Sequence, residues 1–242
     1  MLKYLIKKIL RKAVPLSIQN IITEPFKKEI HNLKLRPNCY AQEGEDLILK
    51  EYFDNVQNGF FVDVGAYNPV LFSNTYLFYL KGWRGINIDA RPGSMEQFNV
   101  VRPRDINVET AVGLQEKTLT YYMFDEPALN GFSKEVSEDR NSNTPFKIVN
   151  TINLPTKRLE TILNEHLPDG QEISFMSIDV EGLDLEVLNS NNWDKYKPKM
   201  ILVETSVTAE GIAFQCPIHV FMESKGYYFV AKTYRTSFYK LK

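Results

Sequence analysis

Apolar residues along the chain fall into two kinds of run. Five short stretches are apolar almost without interruption: "GFFVDVGA" (59–66), "RGINIDA" (84–90), "DINVETAVG" (105–113), "ISFMSIDVEG" (173–182) and "KMILVETS" (199–206). A strand with one wet face alternates polar and apolar residues, so unbroken runs of this length predict strands covered on both faces. Between them apolar residues return every three or four positions, the period of a helix with one buried face. That spacing predicts helices over 40–53, 71–82, 93–103, 156–167, 183–190 and 216–226. Gly82 and Gly226 stand where such helices stop, Ser94 is the expected N-cap of the third, and Thr156 with Glu160 opens the fourth. "KTLTYYMF" (117–124) and "VNTINLP" (149–155) predict strands on either side of a polar stretch, 125–147, and "YYFVAKTY" with "TSFYKLK" closes the chain as a strand pair.

Strands that alternate with helices form right-handed βαβ units and a mostly parallel sheet, which makes the chain an α/β protein. The close-coupled final pair requires one antiparallel strand at that end. In such sheets ligands sit beyond the carboxyl ends of the strands, where the strand order reverses.

The first 36 residues break this pattern and are read as a separate extension ahead of a domain over 37–242. "MLKYLIKKILRKAVP" has five basic residues, no acid before Glu24, and Leu2, Leu5, Ile6, Ile9 and Leu10 at helical spacing up to Pro15. Lysines interrupt every apolar run, so the segment lacks the core of a signal peptide. Two readings stand: peripheral contact of residues 1–14 with an anionic membrane surface, or a stripe packed on the domain with a solvated charged face. Elsewhere the 242 residues are evenly mixed, 43% hydrophobic and 24% charged with net charge −1, so a whole-protein footprint for nucleic acid is absent. Cys39 and Cys216 have no paired spacing and read as reduced thiols, which places the chain in the cytoplasm, alone or on the cytoplasmic face of the membrane.

The chemistry gathers at the strand ends. Asp63 ends the first buried run, Asp89 the second, Asp179 and Glu181 the fourth, and Glu204 the fifth. Unpaired acids on one rim repel each other and lose solvation, so their coincidence points to a cationic or hydroxyl-rich ligand. Gly65 permits a tight turn after the first strand. Asp89 stands 26 residues after Asp63, where a carboxylate can accept both hydroxyls of a ribose. The GxGxxG fingerprint is missing, since Ala66, Tyr67, Asn68 and Pro69 follow Gly65, so a pyrophosphate finds no cradle. A cofactor with a ribose and no phosphate fits better, and S-adenosylmethionine is the common one.

These same segments carry a family likeness. "QEGEDLIL", "FFVDVGAYNPVLFSNTYLF", "GWRGINIDARPGSMEQFNVVRPRD" and "SIDVEGLDLEVL" strongly resemble the FkbM-type S-adenosylmethionine-dependent methyltransferases, over roughly Tyr40 to Thr205. The resemblance implies the class I methyltransferase (Rossmann-like) three-layer sandwich, with a seven-stranded sheet whose last-but-one strand is antiparallel. It also implies O-methylation of a sugar or glycan hydroxyl, as in surface polysaccharides and nucleotide sugars. Carried onto this chain, it makes Asp63, Gly65 and Ala66 the cofactor loop and Asp89 the ribose acid, with Ala90 and Ala111 near the adenine. Gln42, Glu45, Asp46, Ser73 and Asn74 line the cofactor end. Tyr67-Asn68-Pro69 stands where many members have Asn-x-Gly.

Methyl transfer to a hydroxyl needs a base or a metal that lowers the hydroxyl's pKa. Asp179 is the expected base, also touching the cofactor. Asp179, Glu181 and Glu204 together are the expected catalytic set and the alternative seat of a hard ion such as Mg²⁺. The stretch 125–147 reads either as a disordered surface excursion or as a lid over the acceptor, and Trp83, Tyr121 and Tyr122 as candidates to stack on a sugar. The rival functions are a methyltransferase of the same fold acting on a lipid or other small natural product, and a cofactor-binding module without catalysis.

Overall fold

The computed structural model describes residues 39–205 and 216–242; the basic helix expected at 1–14 and the rest of the extension to residue 36 lie outside the described residues. In chain order the first elements are α1 (Glu45–Phe53), β1 (Phe60–Val64), α2 (Tyr76–Leu80), β2 (Arg84–Asp89), α3 (Ser94–Val101), β3 (Ile106–Glu109), β4 (Ala111–Val112) and β5 (Thr118–Phe124). A 3-10 turn at Pro127–Leu129, α4 (Lys134–Asn143), β6 (Ile148–Lys157), α5 (Leu159–His166), β7 (Phe175–Ile178) and α6 (Asp184–Asn189) follow. The described chain ends with β8 (Met200–Glu204), α7 (Pro217–Ser224), β9 (Tyr227–Lys232) and β10 (Thr236–Leu241).

The five unbroken apolar runs become the parallel strands of one seven-stranded sheet, in the order β3-β2-β1-β7-β8-β10-β9. β10 runs antiparallel to both its neighbours, so the single reversed strand is the last but one, as the sequence resemblance implies. Every residue of β1 and β7 is buried. Successive residues point to opposite faces. Phe61 and Phe175 therefore pack with Leu49, Phe53, Phe78 and Trp83 under α1 and α2. Val62, Val64, Met176 and Ile178 pack on the other face with Leu159, Ile162, Val187 and Met222 of α5, α6 and α7. Burying each such side chain is worth about 1.5–3 kcal/mol, so the two layers hold the sheet as a three-layer sandwich. A second sheet, β4-β6-β5, stands beside the first.

Four elements depart from the sequence expectation. The third apolar run splits: β3 stays in the main sheet, β4 joins the second, and Thr110 between them donates its N–H to the Asp89 carbonyl at 2.9 Å. Thr156 does not open a helix; it lies in β6 with its hydroxyl on the Gln115 carbonyl at 2.7 Å, and α5 begins three residues later. The N-cap of α3 is Gly93, in left-handed backbone, rather than Ser94. The stretch 125–147 is neither an irregular excursion nor structureless, because it holds the 3-10 turn and α4, which Ser133 caps through the Val136 N–H at 3.3 Å. Among the described residues no helix is long and apolar enough to cross a membrane.

Candidate active site

The order of strands reverses between β1 and β7, and a cleft of about 500 Å³ opens at their carboxyl ends. Its floor is the turn after β1. Gly65 has φ 83°, and a side chain there would fall on the Asp179 carbonyl, so only glycine lets the ends of β1 and β7 meet. The N–H groups of Gly65 and Ala66 both donate to the Ile88 carbonyl, at 2.9 and 3.0 Å. Neither is left to cradle a phosphate.

Several residues singled out from the sequence lie beneath this floor instead of on the cleft wall. Asp63 is buried and accepts the Thr75 hydroxyl at 2.8 Å, while Thr75 in turn accepts from Arg102 Nη1 at 2.9 Å. Burial pushes the Asp63 carboxyl up against the pull of that guanidinium. Ser73 accepts the Tyr76 N–H, Asn74 donates to the Ser177 hydroxyl, and Ala66 packs with Met95 and Phe98. Asp46 is buried at the start of α1, accepting the Tyr40 N–H at 2.6 Å and the Cys39 thiol at 3.2 Å. Glu45 accepts the hydroxyls of Thr233 and Thr236, which ties α1 to the final hairpin. Ala111 is buried in β4, and its neighbours Thr110 and Val112 are the ones that reach the cleft. Trp83 is a core residue whose indole donates to the Val56 carbonyl at 3.2 Å, and Tyr122 is off the cleft wall.

Gln42, Gly65, Asp89, Ala90, Asp179, Glu181 and Glu204 do meet on the cleft. Asp89 accepts the Tyr67 N–H on one oxygen (3.0 Å) and the Arg91 N–H on the other (2.8 Å). On the cleft side the carboxylate keeps lone-pair capacity to accept a ligand hydroxyl. Burial raises its pKa in spite of these bonds.

Asp179 is deeply seated among protein atoms, yet its side chain is open to water in the cleft. Crowding raises its pKa well above the ordinary carboxyl range, and the charges of Glu204, Glu181, Asp184 and Asp63 push the same way. Glu204 stands beside Asp179 at the end of the neighbouring strand β8. Its pKa is raised by burial first and by Glu181 next, against the pull of Arg140 and Arg235. Neighbouring carboxyls raised in this way are coupled, so a proton on one favours the charge on the other.

Glu181 takes a different part. Its φ of 57° turns the side chain toward α4, where Arg140 Nη2 meets it at 2.5 Å. The expected ion therefore loses one of its three ligands, and among the described residues no group of three or more His, Cys, Asp or Glu is placed to hold a metal. The turn that carries Glu181 is held by Asp184, which accepts the N–H groups of Val180 and Gly182 at 3.2 Å each.

The far wall comes from the stretch 125–147, read from the sequence as either a surface excursion or a lid. Residues 126–132 and Arg140 cross over the cleft, and a side chain at Gly131 would press on Glu181 while one at Gly182 would press on Val136. Tyr67 hydrogen-bonds Glu126 at 3.4 Å and stacks on Phe72 at 6.2 Å. Among the described residues three non-glycines have positive φ, Tyr67, Phe72 and Glu181, and all three line the cleft. Backbone held in such conformations costs of order 1–3 kcal/mol each and clusters at functional sites.

The sequence profile described as "Methyltransferase FkbM domain" matches residues 63–229. No curated protein matches. Among solved structures, the protein PH1948 from Pyrococcus horikoshii, described as a candidate RNA methyltransferase, is 12% identical with a TM-score of 0.41, over 82% of this chain and 83% of that one. Precorrin-6y C5,15-methyltransferase from Geobacter metallireducens GS-15 is 13% identical with a TM-score of 0.41, over 84% and 91%.

Proposed function

The chain belongs to the FkbM methyltransferase family, and from that premise we propose that it methylates a hydroxyl of a sugar or glycan, of the surface-polysaccharide or nucleotide-sugar kind, using S-adenosylmethionine. The observation that carries this reading is that Asp179 and Glu204 stand side by side at the ends of the paired strands β7 and β8, in the same cleft as Asp89. S-adenosylmethionine, when bound, supplies a methyl carbon on a positively charged sulfur. The residues present fit it: Asp89 has lone pairs for two ribose hydroxyls, the Gly65 turn offers no phosphate cradle, and the acids favour a cation.

Asp179 and Glu204 would supply the carboxylate that accepts the acceptor's hydroxyl proton, while bound S-adenosylmethionine would supply the methyl group. Holding the acceptor oxygen in line is the other contribution, worth up to roughly 7–11 kcal/mol in favourable intramolecular cases. Glu181, bound to Arg140, braces the wall instead of the acceptor.

A second reading rests on Phe72 and Phe146, which are 39% and 38% exposed and line the cleft. Exposed apolar rings in a concave site suit an acceptor with an apolar part, a lipid or small natural product. We place the reaction in the cytoplasm, with residues 1–14 touching the anionic membrane face, on the strength of their five basic residues. The test is a mass-spectrometric screen of nucleotide sugars, glycans and lipids for the gain of one methylene with S-adenosylmethionine as donor. Gain on a sugar hydroxyl supports the first reading; gain confined to lipids or natural products transfers the conclusion to the second.

A further inference from the structure

Tyr121 is the residue of β5 that the second sheet lays over the cleft. It is 5% exposed, and what remains uncovered lies on the cleft wall shared with Asp89, Ala90 and Arg91. Three contacts fix it there. Its ring packs on Phe132 with centroids 4.7 Å apart. The next residue, Tyr122, exchanges backbone hydrogen bonds with Gly131 at 2.9 and 3.2 Å, which folds 130–132 back over β5. Asn130 accepts the Phe124 N–H through its side-chain oxygen at 2.7 Å, and its side chain stands next to the Tyr121 hydroxyl. The phenol thus stands at the end of the cleft that Asp89 and Arg91 also line.

We propose that Tyr121 is a cofactor-binding residue that closes the adenosine half of the cleft from above, its ring covering the nucleoside and its hydroxyl directed to the ribose that Asp89 holds from below. This inference rests on the methyltransferase reading and names a contact that reading does not contain. A buried aromatic with a polar tip suits the task, because it covers apolar surface and still supplies one directed hydrogen bond.

The experiment is calorimetric titration of the full chain with S-adenosylhomocysteine, alongside Tyr121→Leu, Tyr121→Phe and Tyr122→Leu, with the melting temperature of each free protein. Tyr121→Leu is expected to weaken affinity about tenfold or more and Tyr121→Phe about threefold, while Tyr122→Leu stays within about twofold. A role confined to packing lowers the melting temperature of the free protein and leaves affinity unchanged. Tyr121→Phe keeps the ring on Phe132 and carries the test if Tyr121→Leu does not fold. Binding by the wild type with both Tyr121 variants unaffected overturns this inference alone. No binding by the wild type overturns the methyltransferase reading, and the inference with it.

Discussion

Asp184 shows how much one side chain sets at this site. It touches no open part of the cleft, yet its two hydrogen bonds hold the turn from which Asp179 and Glu181 project. Burial first, and the charge of Glu204 next, raise its pKa from 3.8 to about 7. A carboxyl raised on folding stabilises the protein fully below its unfolded value and loses that contribution as pH rises through the folded one. Stability is thus expected to fall between about pH 4 and pH 7, by up to about 4 kcal/mol from this group. Denaturant unfolding across that range checks it: Asp184→Asn flattens the fall, and an unchanged slope contradicts the assignment. Gly65→Ala belongs to the same scale. With φ at 83° and its Cβ on the Asp179 carbonyl, it is expected to cost more than about 2 kcal/mol in unfolding experiments. The places of Asp89, Asp179 and Glu204 on the cleft were legible because a strand end is written in the sequence as the last apolar residue before a turn. Asp63, which looks the same by that rule, proved to face inward to Thr75, because the strand's alternation and not its end decides where a side chain points.

At the scale of elements, legibility followed burial. β1 and β7 are buried throughout and appear in the sequence as unbroken apolar runs. α4, "KEVSEDRNSN", buries only Ser137, so it left no apolar stripe and read as loop. Its place over the cleft depends instead on tertiary contacts: the Arg140–Glu181 pair, and Gly131 and Gly182 at the two points of closest approach. The hint available in advance was a pair of glycines, one within the polar stretch and one after Glu181, with no way to match them. The ion pair is partly buried, 24% and 18% exposed, and anchors α4 to the rim. Arg140→Gln is therefore expected to speed amide hydrogen exchange in 134–143 by roughly tenfold while leaving β1 and β7 protected. Equal exchange in the two proteins contradicts the anchor.

At the scale of the molecule, the sheet order delivers the chemistry. Reversal between β1 and β7 opens the cleft, β2 brings Asp89 to one end, and β7 and β8 bring Asp179 and Glu204 to the other. The second sheet then sends its wall across the top, a step that no local pattern announces because β4, β5 and β6 meet only through long-range pairing. Asp89→Ala is expected to weaken S-adenosylhomocysteine binding at least about tenfold by calorimetry, since it removes both acceptors for a ribose; unchanged binding assigns the ribose elsewhere. In the proposed reaction a carboxylate pair takes a proton from an alcohol beside a methyl donor. The most direct test is the rate of methyl transfer by Asp179→Asn at saturating S-adenosylmethionine, on the acceptor found by the screen. The rate should fall at least about 100-fold with donor affinity unchanged; a rate within a few-fold of the wild type would contradict it.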